Sequence, residues 1–246
     1  MTTGLSYAGT VAGTTSYITQ IATMAVVDET DPAFLAILPQ MITYAENRIY
    51  RDVDFLFTSI ANSSYTVPIN TRKITVPAGT FVVPEQINLI TPAGTTNPES
   101  CIRVPLLPTT KEFLDAVYGS SSATGQPKYF CPFDDYTFLV GPYSDATYFV
   151  EIIGTYRPPS LSVTNTTTFI SLYLPDVFIM ASMIYIAAYQ RNFSSALGND
   201  PQMPVTYETQ YQTLLKSAIS EENRKKFEAA AWSSQSVSTT ATPTRG

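Results

Sequence analysis

The chain contains no histidine. The commonest general base and metal ligand is therefore missing, and with it every Ser-His-Asp or Cys-His catalytic arrangement. Charge is also scarce. Asp, Glu, Lys and Arg make up 14% of the 246 residues, against roughly 25% in an ordinary soluble domain. Cysteine occurs only at Cys101 and Cys131, a spacing that matches no zinc or redox motif. Both read as free, buried thiols of a protein made in a reducing compartment. The start Met1-Thr2-Thr3-Gly4 lacks the basic and apolar regions of a signal peptide. The one long apolar stretch, 172–189, includes Pro175, Asp176 and Ser182 and barely reaches the roughly 20 residues that span a bilayer. It reads as a core helix, and no membrane partner is expected. No basic run exceeds Arg224-Lys225-Lys226, and the net charge is −6. Gripping a duplex requires Lys and Arg against the phosphates, so stable DNA binding is not expected. DNA sliding past an acidic surface without being held remains compatible.

What is abundant points to partners. Hydrophobic residues make up 44% of the chain, enough for a sizeable core, alongside eighteen prolines and sixteen tyrosines. The polar surface must come largely from Thr, Ser, Asn, Gln and Tyr. Burying such neutral groups at an interface costs far less than burying charges.

Hydrophobic periodicity predicts four helices around a strand-rich middle. The first covers 16–27, with Tyr17, Ile18, Ile21 and Ala25 near one face, and is broken by Asp28-Glu29-Thr30-Asp31-Pro32. In the second, Phe34, Ile37, Leu38, Met41, Ile42, Ala45 and Ile49 keep helical spacing. Pro39 is damaging in a helix interior, so the continuous helix is expected to begin near Leu38 after a short lead-in. Strands are expected at 65–69, 73–76, 86–90, 102–106, 128–130, 137–140 and 148–156, with a threonine-capped short helix at 109–114. Without long helical crossovers, the sheet should be antiparallel. The third helix, opened by Leu174-Pro175-Asp176, is apolar nearly all round and should sit centrally between the second and fourth. The fourth, 205–231, carries Tyr207, Tyr211, Leu214, Leu215, Ala218 and Ile219 on one stripe, with Glu208, Lys216, Glu221 and Glu222 on its charged face. The fold class is α+β: a bundle of about four helices with an inserted antiparallel β-sheet or sandwich. The expected division is 1–57 and 161–232 for the helical part, 58–160 for the β-rich domain, and 233–246 for a flexible Ser/Thr-rich arm.

No catalytic constellation emerges, so catalytic, metal and cofactor-binding residues are all expected to be absent. Asp134-Asp135 reads as a turn. Asp52 and Asp54 have the spacing to chelate a cation but read better as a solvated helix end. Lys111 and Lys128 fall on surface elements, and the loop 119–125 lacks a phosphate-binding fingerprint. Tyr129, Phe130, Phe133, Tyr136 and Phe138 admit two readings, a carbohydrate-binding platform or alternating sheet core.

The order of motifs resembles the head-to-tail adaptors of tailed bacteriophages, the tail tubular protein A-like connectors. The series is Leu38-Pro39, Tyr44-Ala45-Glu46-Asn47-Arg48-Ile49, Ile74-Thr75-Val76-Pro77-Ala78, Lys111-Glu112-Phe113 and Gly125-Gln126-Pro127-Lys128-Tyr129. It continues through 137–142, 148–159, Leu174-Pro175-Asp176 and Tyr207-Glu208 with Tyr211. It spans about 33–226, so the helical segment before Asp31 and the tail after Trp232 look like departures from the pattern. The resemblance implies a non-enzymatic virion protein at the head–tail junction, assembled in the host cytoplasm. It implies a ring of about twelve copies under the portal protein, a downstream tail or nozzle protein, and a lumen that passes DNA without specific binding. Another neck or tail-completion protein, or a carbohydrate-binding virion module, is the alternative. The single tryptophan next to a basic cluster makes Arg224, Phe227 and Trp232 the candidate partner contacts, because large aromatics and arginine dominate interface energetics.

Overall fold

The computed structural model describes residues 4–95, 98–193 and 203–233. The chain forms two compact units, one from residues 1–56 with 158–246 and the other from 57–157.

The first unit opens with two short strands, β1 (Leu5–Ser6) and β2 (Thr15–Ser16), paired in parallel. Helix α1 (Tyr17–Ala25) follows, capped by Ser16, whose side chain accepts from the Thr19 N–H. It buries Tyr17, Ile21, Ala22 and Ala25 and closes on Val26 in the left-handed conformation. Helix α2 (Pro32–Asp52) is capped by Asp31, with Pro32 in its first turn.

That start corrects the expected one near Leu38, since α2 runs straight through Pro39. A mid-helix proline removes one hydrogen bond and costs about 3 kcal/mol. Here Pro39 and Leu35, whose carbonyl loses its partner, both lie on the exposed face, where water serves that oxygen. Phe34, Leu38, Met41 and Ile42 are buried on the other face and hold the helix continuous.

The second unit contains β3 (Ser59–Val67), β4 (Lys73–Thr75), β5 (Val83–Thr91), β6 (Ile102–Pro105) and β7 (Leu107–Pro108), then helix α3 (Lys111–Val117). Strands β8 (Thr124–Gly125), β9 (Tyr129–Asp134), β10 (Thr137–Gly141), β11 (Tyr143–Ser144) and β12 (Tyr148–Thr155) complete it. Two four-stranded sheets, ordered β3-β12-β5-β6 and β4-β10-β9-β7, share one apolar core. Tyr65, Val67, Ile87, Leu89, Val150 and Ile152 enter it from the first sheet, and Ile74, Phe138 and Val140 from the second. Along β10 the alternation sends Phe138 and Val140 into this core and Leu139 to the opposite face, against Leu114 and Cys131, so both faces of the strand are covered.

The first sheet is antiparallel throughout. The second is mixed, which corrects the expectation of purely antiparallel pairing. β7 runs parallel to β9, with Leu107 opposite Tyr129 and Pro108 opposite Phe130. β8 and β11 form another two-residue parallel pair. Such a pair needs a crossover, and α3 supplies it for β7 and β9. Thr110 caps α3 by accepting from the Phe113 N–H, and Leu114 packs on Cys131 and Leu139. Gly141 permits this close approach, because a Cβ there would lie 2.6 Å from Leu114 Cδ2. A two-residue ladder is too short to leave a period in the sequence.

The chain then re-enters the first unit. Helix α4 (Phe169–Tyr173), not anticipated from sequence, is closed by a capping box between Thr168 and Ser171. Helix α5 (Pro175–Phe193) packs against α1, α2, α4 and α6 (Met203–Ser233). It buries Val177, Phe178, Ala181, Ser182, Met183 and Ile186. Ile179, Met180 and Ile184 remain half-buried, so its all-round apolarity exceeds its burial. Helix α6 buries Tyr211, Leu215, Ala218 and Glu222 on one stripe. Glu222, assigned from sequence to the charged face, is buried because it accepts from the Leu56 N–H at 3.3 Å and from Lys225 Nζ at 2.6 Å. Ser233 belongs to α6 and not to the arm. The rest of the expected arm, 234–246, lies outside the described residues.

Candidate assembly surface

Polar side chains join distant parts of the helical unit. The Tyr17 hydroxyl donates to Ser182 Oγ at 2.7 Å, and its ring stacks on Phe178 with centroids 4.8 Å apart. Arg48 pairs with Glu208 at 2.6 Å and lies 4.5 Å over the Tyr211 ring. The Tyr211 hydroxyl donates to Asp52 at 2.7 Å. Burial pushes both phenols well above the ordinary tyrosine range. Glu46 is fully buried, and burial raises its carboxyl to about 7 although several donors oppose the shift. Those donors are the Leu161 N–H at 3.1 Å, Thr168 Oγ1 at 3.1 Å and the Ser160 side chain.

Asp52 and Asp54 are therefore neither a chelating pair nor simply a solvated helix end. Asp52 accepts from Tyr211, and Asp54 pairs with Lys226 of α6. Among the described residues no group of three or more His, Cys, Asp or Glu side chains is placed to hold a metal ion. No helix among them is long and apolar enough to cross a membrane. Both cysteines are free thiols, Cys131 buried and Cys101 only partly so; burial raises the Cys131 thiol. Lys111 pairs with Asp115 at 2.7 Å, and Lys128 is exposed. Asp134 Oδ1 accepts from the Tyr136 N–H at 2.7 Å in the β9–β10 turn, which is the structural role its sequence suggested.

The aromatic series does not form one platform. Phe138 and Phe130 belong to the sandwich core. Tyr129 packs toward α3, in edge contact with Phe113 and stacked near Tyr118. Only Phe133 and Tyr136 are exposed, beside the β9–β10 turn. Strand alternation sends neighbouring aromatics to opposite faces.

The candidate contacts on α6 lie where that helix is clamped to the segment after α2. Glu222, Lys225 and Lys226 reach neighbouring segments: Glu222 holds the Leu56 N–H, Lys225 lies 5.6 Å over the Phe169 ring, and Lys226 pairs with Asp54. Arg224 and Phe227, three residues apart, share the outward stripe. Arg224 is exposed and Phe227 is 74% exposed. The backbone of Trp232 belongs to α6; its side chain lies outside the described residues. Two exposed side chains on neighbouring segments were not legible in the sequence, Leu56 (47%) and Tyr173 (69%). Both stand beside turns whose partners are remote in the chain, so no local pattern marks them.

The profile of the SU10 adaptor protein family matches residues 15–239. The chain belongs to that family. It is thus a phage head-to-tail adaptor, as the motif series resembles. No curated protein matches the chain. The matched span also corrects the extent of the likeness. It begins at residue 15, so α1 of the adaptor belongs to the family pattern, and it runs past Trp232 into the Ser/Thr-rich tail.

Proposed function

We propose that the adaptor forms a ring, of about twelve copies, beneath the portal protein and carries the next tail or nozzle protein. DNA passes through its lumen without specific binding. The helical bundle, built from 1–57 and 161–232, and the inserted β domain, 58–160, are the two bodies of each subunit. The observation that carries this reading is the family match over residues 15–239. The net charge of −6 supports passage without retention.

Within that ring, Arg224, Phe227 and Trp232, with the tail 234–246, fasten the adaptor to the portal. Phe227 supports this assignment, because a phenyl ring so exposed on a helix gains nothing from its own fold. Cutting the chain after Ala231 should leave the subunit folded and abolish its attachment to portal-bearing heads, read by co-sedimentation and negative-stain electron microscopy. Trp232→Ala should weaken attachment. Truncated protein joining heads at the wild-type level would move the fastening role elsewhere on the subunit.

A further inference from the structure

Val26 closes α1 at φ 54° and ψ 45°, its N–H directed to the carbonyls of Ala22 and Thr23. This left-handed closing position normally belongs to glycine or asparagine. The only other non-glycine residue at positive φ among the described residues is an asparagine, Asn70. For a β-branched side chain the conformation is strained. Packing does not compensate, since Val26 is 90% exposed. Met24, two residues back, is 37% exposed. A strained residue with no return inside the subunit points to a role outside it.

The charges around Val26 indicate what it meets. Asp28, Glu29 and Asp31 follow it in one turn, and none has an ion-pair partner among the described residues. Asp28 accepts from Thr30, Glu29 from Thr19 and Asp31 from the Ala33 N–H. Asp28 and Glu29 are exposed and Asp31 partly so, all three open to a cation.

The opposite end of α2, 21 residues and about 30 Å away, has the complementary character. Asp52, Asp54, Glu221 and Glu222 there each have a cation within 4 Å already. Among the described residues Arg51 has no carboxylate partner: it is exposed and turns its Nε to the Asn47 carbonyl at 3.0 Å. Leu56 supplies exposed apolar surface nearby. Complementary patches at opposite ends of one element make a head-to-tail contact, the kind that closes into rings when its rotation allows.

We propose that the α1–α2 turn of one subunit docks on the Arg51–Leu56 end of the next copy of this chain. Val26 supplies the apolar contact, and Glu29 with its acidic neighbours faces Arg51. This rests on the proposed ring. Mass photometry of the full chain, alone and without portal, tests both. Wild type should assemble beyond the monomer; a wild type monomeric at every concentration overturns the ring and this contact together. Given assembly, Glu29→Lys and Arg51→Glu should each weaken self-association about tenfold, and the double variant should recover most of the loss. At concentrations dilute enough for both to be monomeric, Val26→Gly should melt about 2 °C higher than wild type, with strain relieved, and on concentration it should self-associate about tenfold more weakly. A Val26→Gly protein that assembles like wild type, or melts lower, overturns the contact and leaves the ring standing. Failure of the charge swap to recover association does the same.

Discussion

The helical unit and the β unit are closed by different means. The β unit is continuous in sequence, and its strands meet through backbone ladders around a core whose buried members are apolar or tyrosine. Its main side-chain network, in which Arg103 and Asn88 hold Glu151, connects strands of a single sheet. The helical unit comes from two stretches of chain separated by about a hundred residues. Its hydrogen bonds Tyr17–Ser182, Arg48–Glu208, Tyr211–Asp52 and Leu161–Glu46 each link the first stretch to the second. Apolar packing is non-directional. A body assembled from distant segments gains register from polar pins, whereas ladders already provide register in a sheet.

The contrast predicts a graded set of effects. Phe178 is fully buried and stacks on Tyr17, so Phe178→Asp places an unpaired charge where the two stretches meet. It should cost several kcal/mol, on the order of 3–5. Hydrogen exchange should show the helical unit opening while β12 and β5 stay protected; equal loss of protection in both would mean the units unfold together.

Glu46 should give the next largest effect, with a definite sign. Burial lifts its folded carboxyl to about 7, above the ordinary glutamate value of 4.5. The folded state therefore holds the proton more tightly than the unfolded chain. That stabilisation is complete below about pH 4.5 and is lost as pH rises through 7. At 1.36 kcal/mol per unit, roughly 3 kcal/mol disappears across this window. Glu46→Gln should flatten the dependence, so denaturant midpoints of wild type and variant should diverge steadily from pH 5 to 8. Parallel curves would show that the carboxyl is not held in its acid form.

The smallest effect belongs to a single pin. Tyr17→Phe removes a buried hydroxyl and leaves Ser182 Oγ, which still donates to the Phe178 carbonyl at 2.8 Å. About 1 kcal/mol should be lost, with the ring stack preserved and the near-ultraviolet spectrum little changed. A loss as large as that from Phe178→Asp would make the pins, and not the packing, the main support of the unit.

Local chemistry made much of the fold legible. Ser16, Thr110 and Pro175 mark helix starts that the structure keeps, and the stripe on α6 and the alternation in β10 and β12 follow from their periods. Missing histidine and sparse charge bounded the chemistry before any coordinate was known. Pairing was not legible. The parallel β7–β9 pair rests on two residues, and the Tyr211 hydroxyl that donates to Asp52 and the Lys226 that pairs with Asp54 both approach from α6. Glu222 was assigned to the wrong face because helical spacing gives an angle but not what stands opposite it. Val26 shows the same limit from the other side. Its identity is plain in the chain, but its left-handed backbone and bare side chain arise only when α1 ends where Ala22 and Thr23 can receive its N–H. Capping, periodicity and composition act between residues a few positions apart and can be read along the chain. Burial and the pairing of remote side chains depend on which distant segments meet, and folding alone decides that.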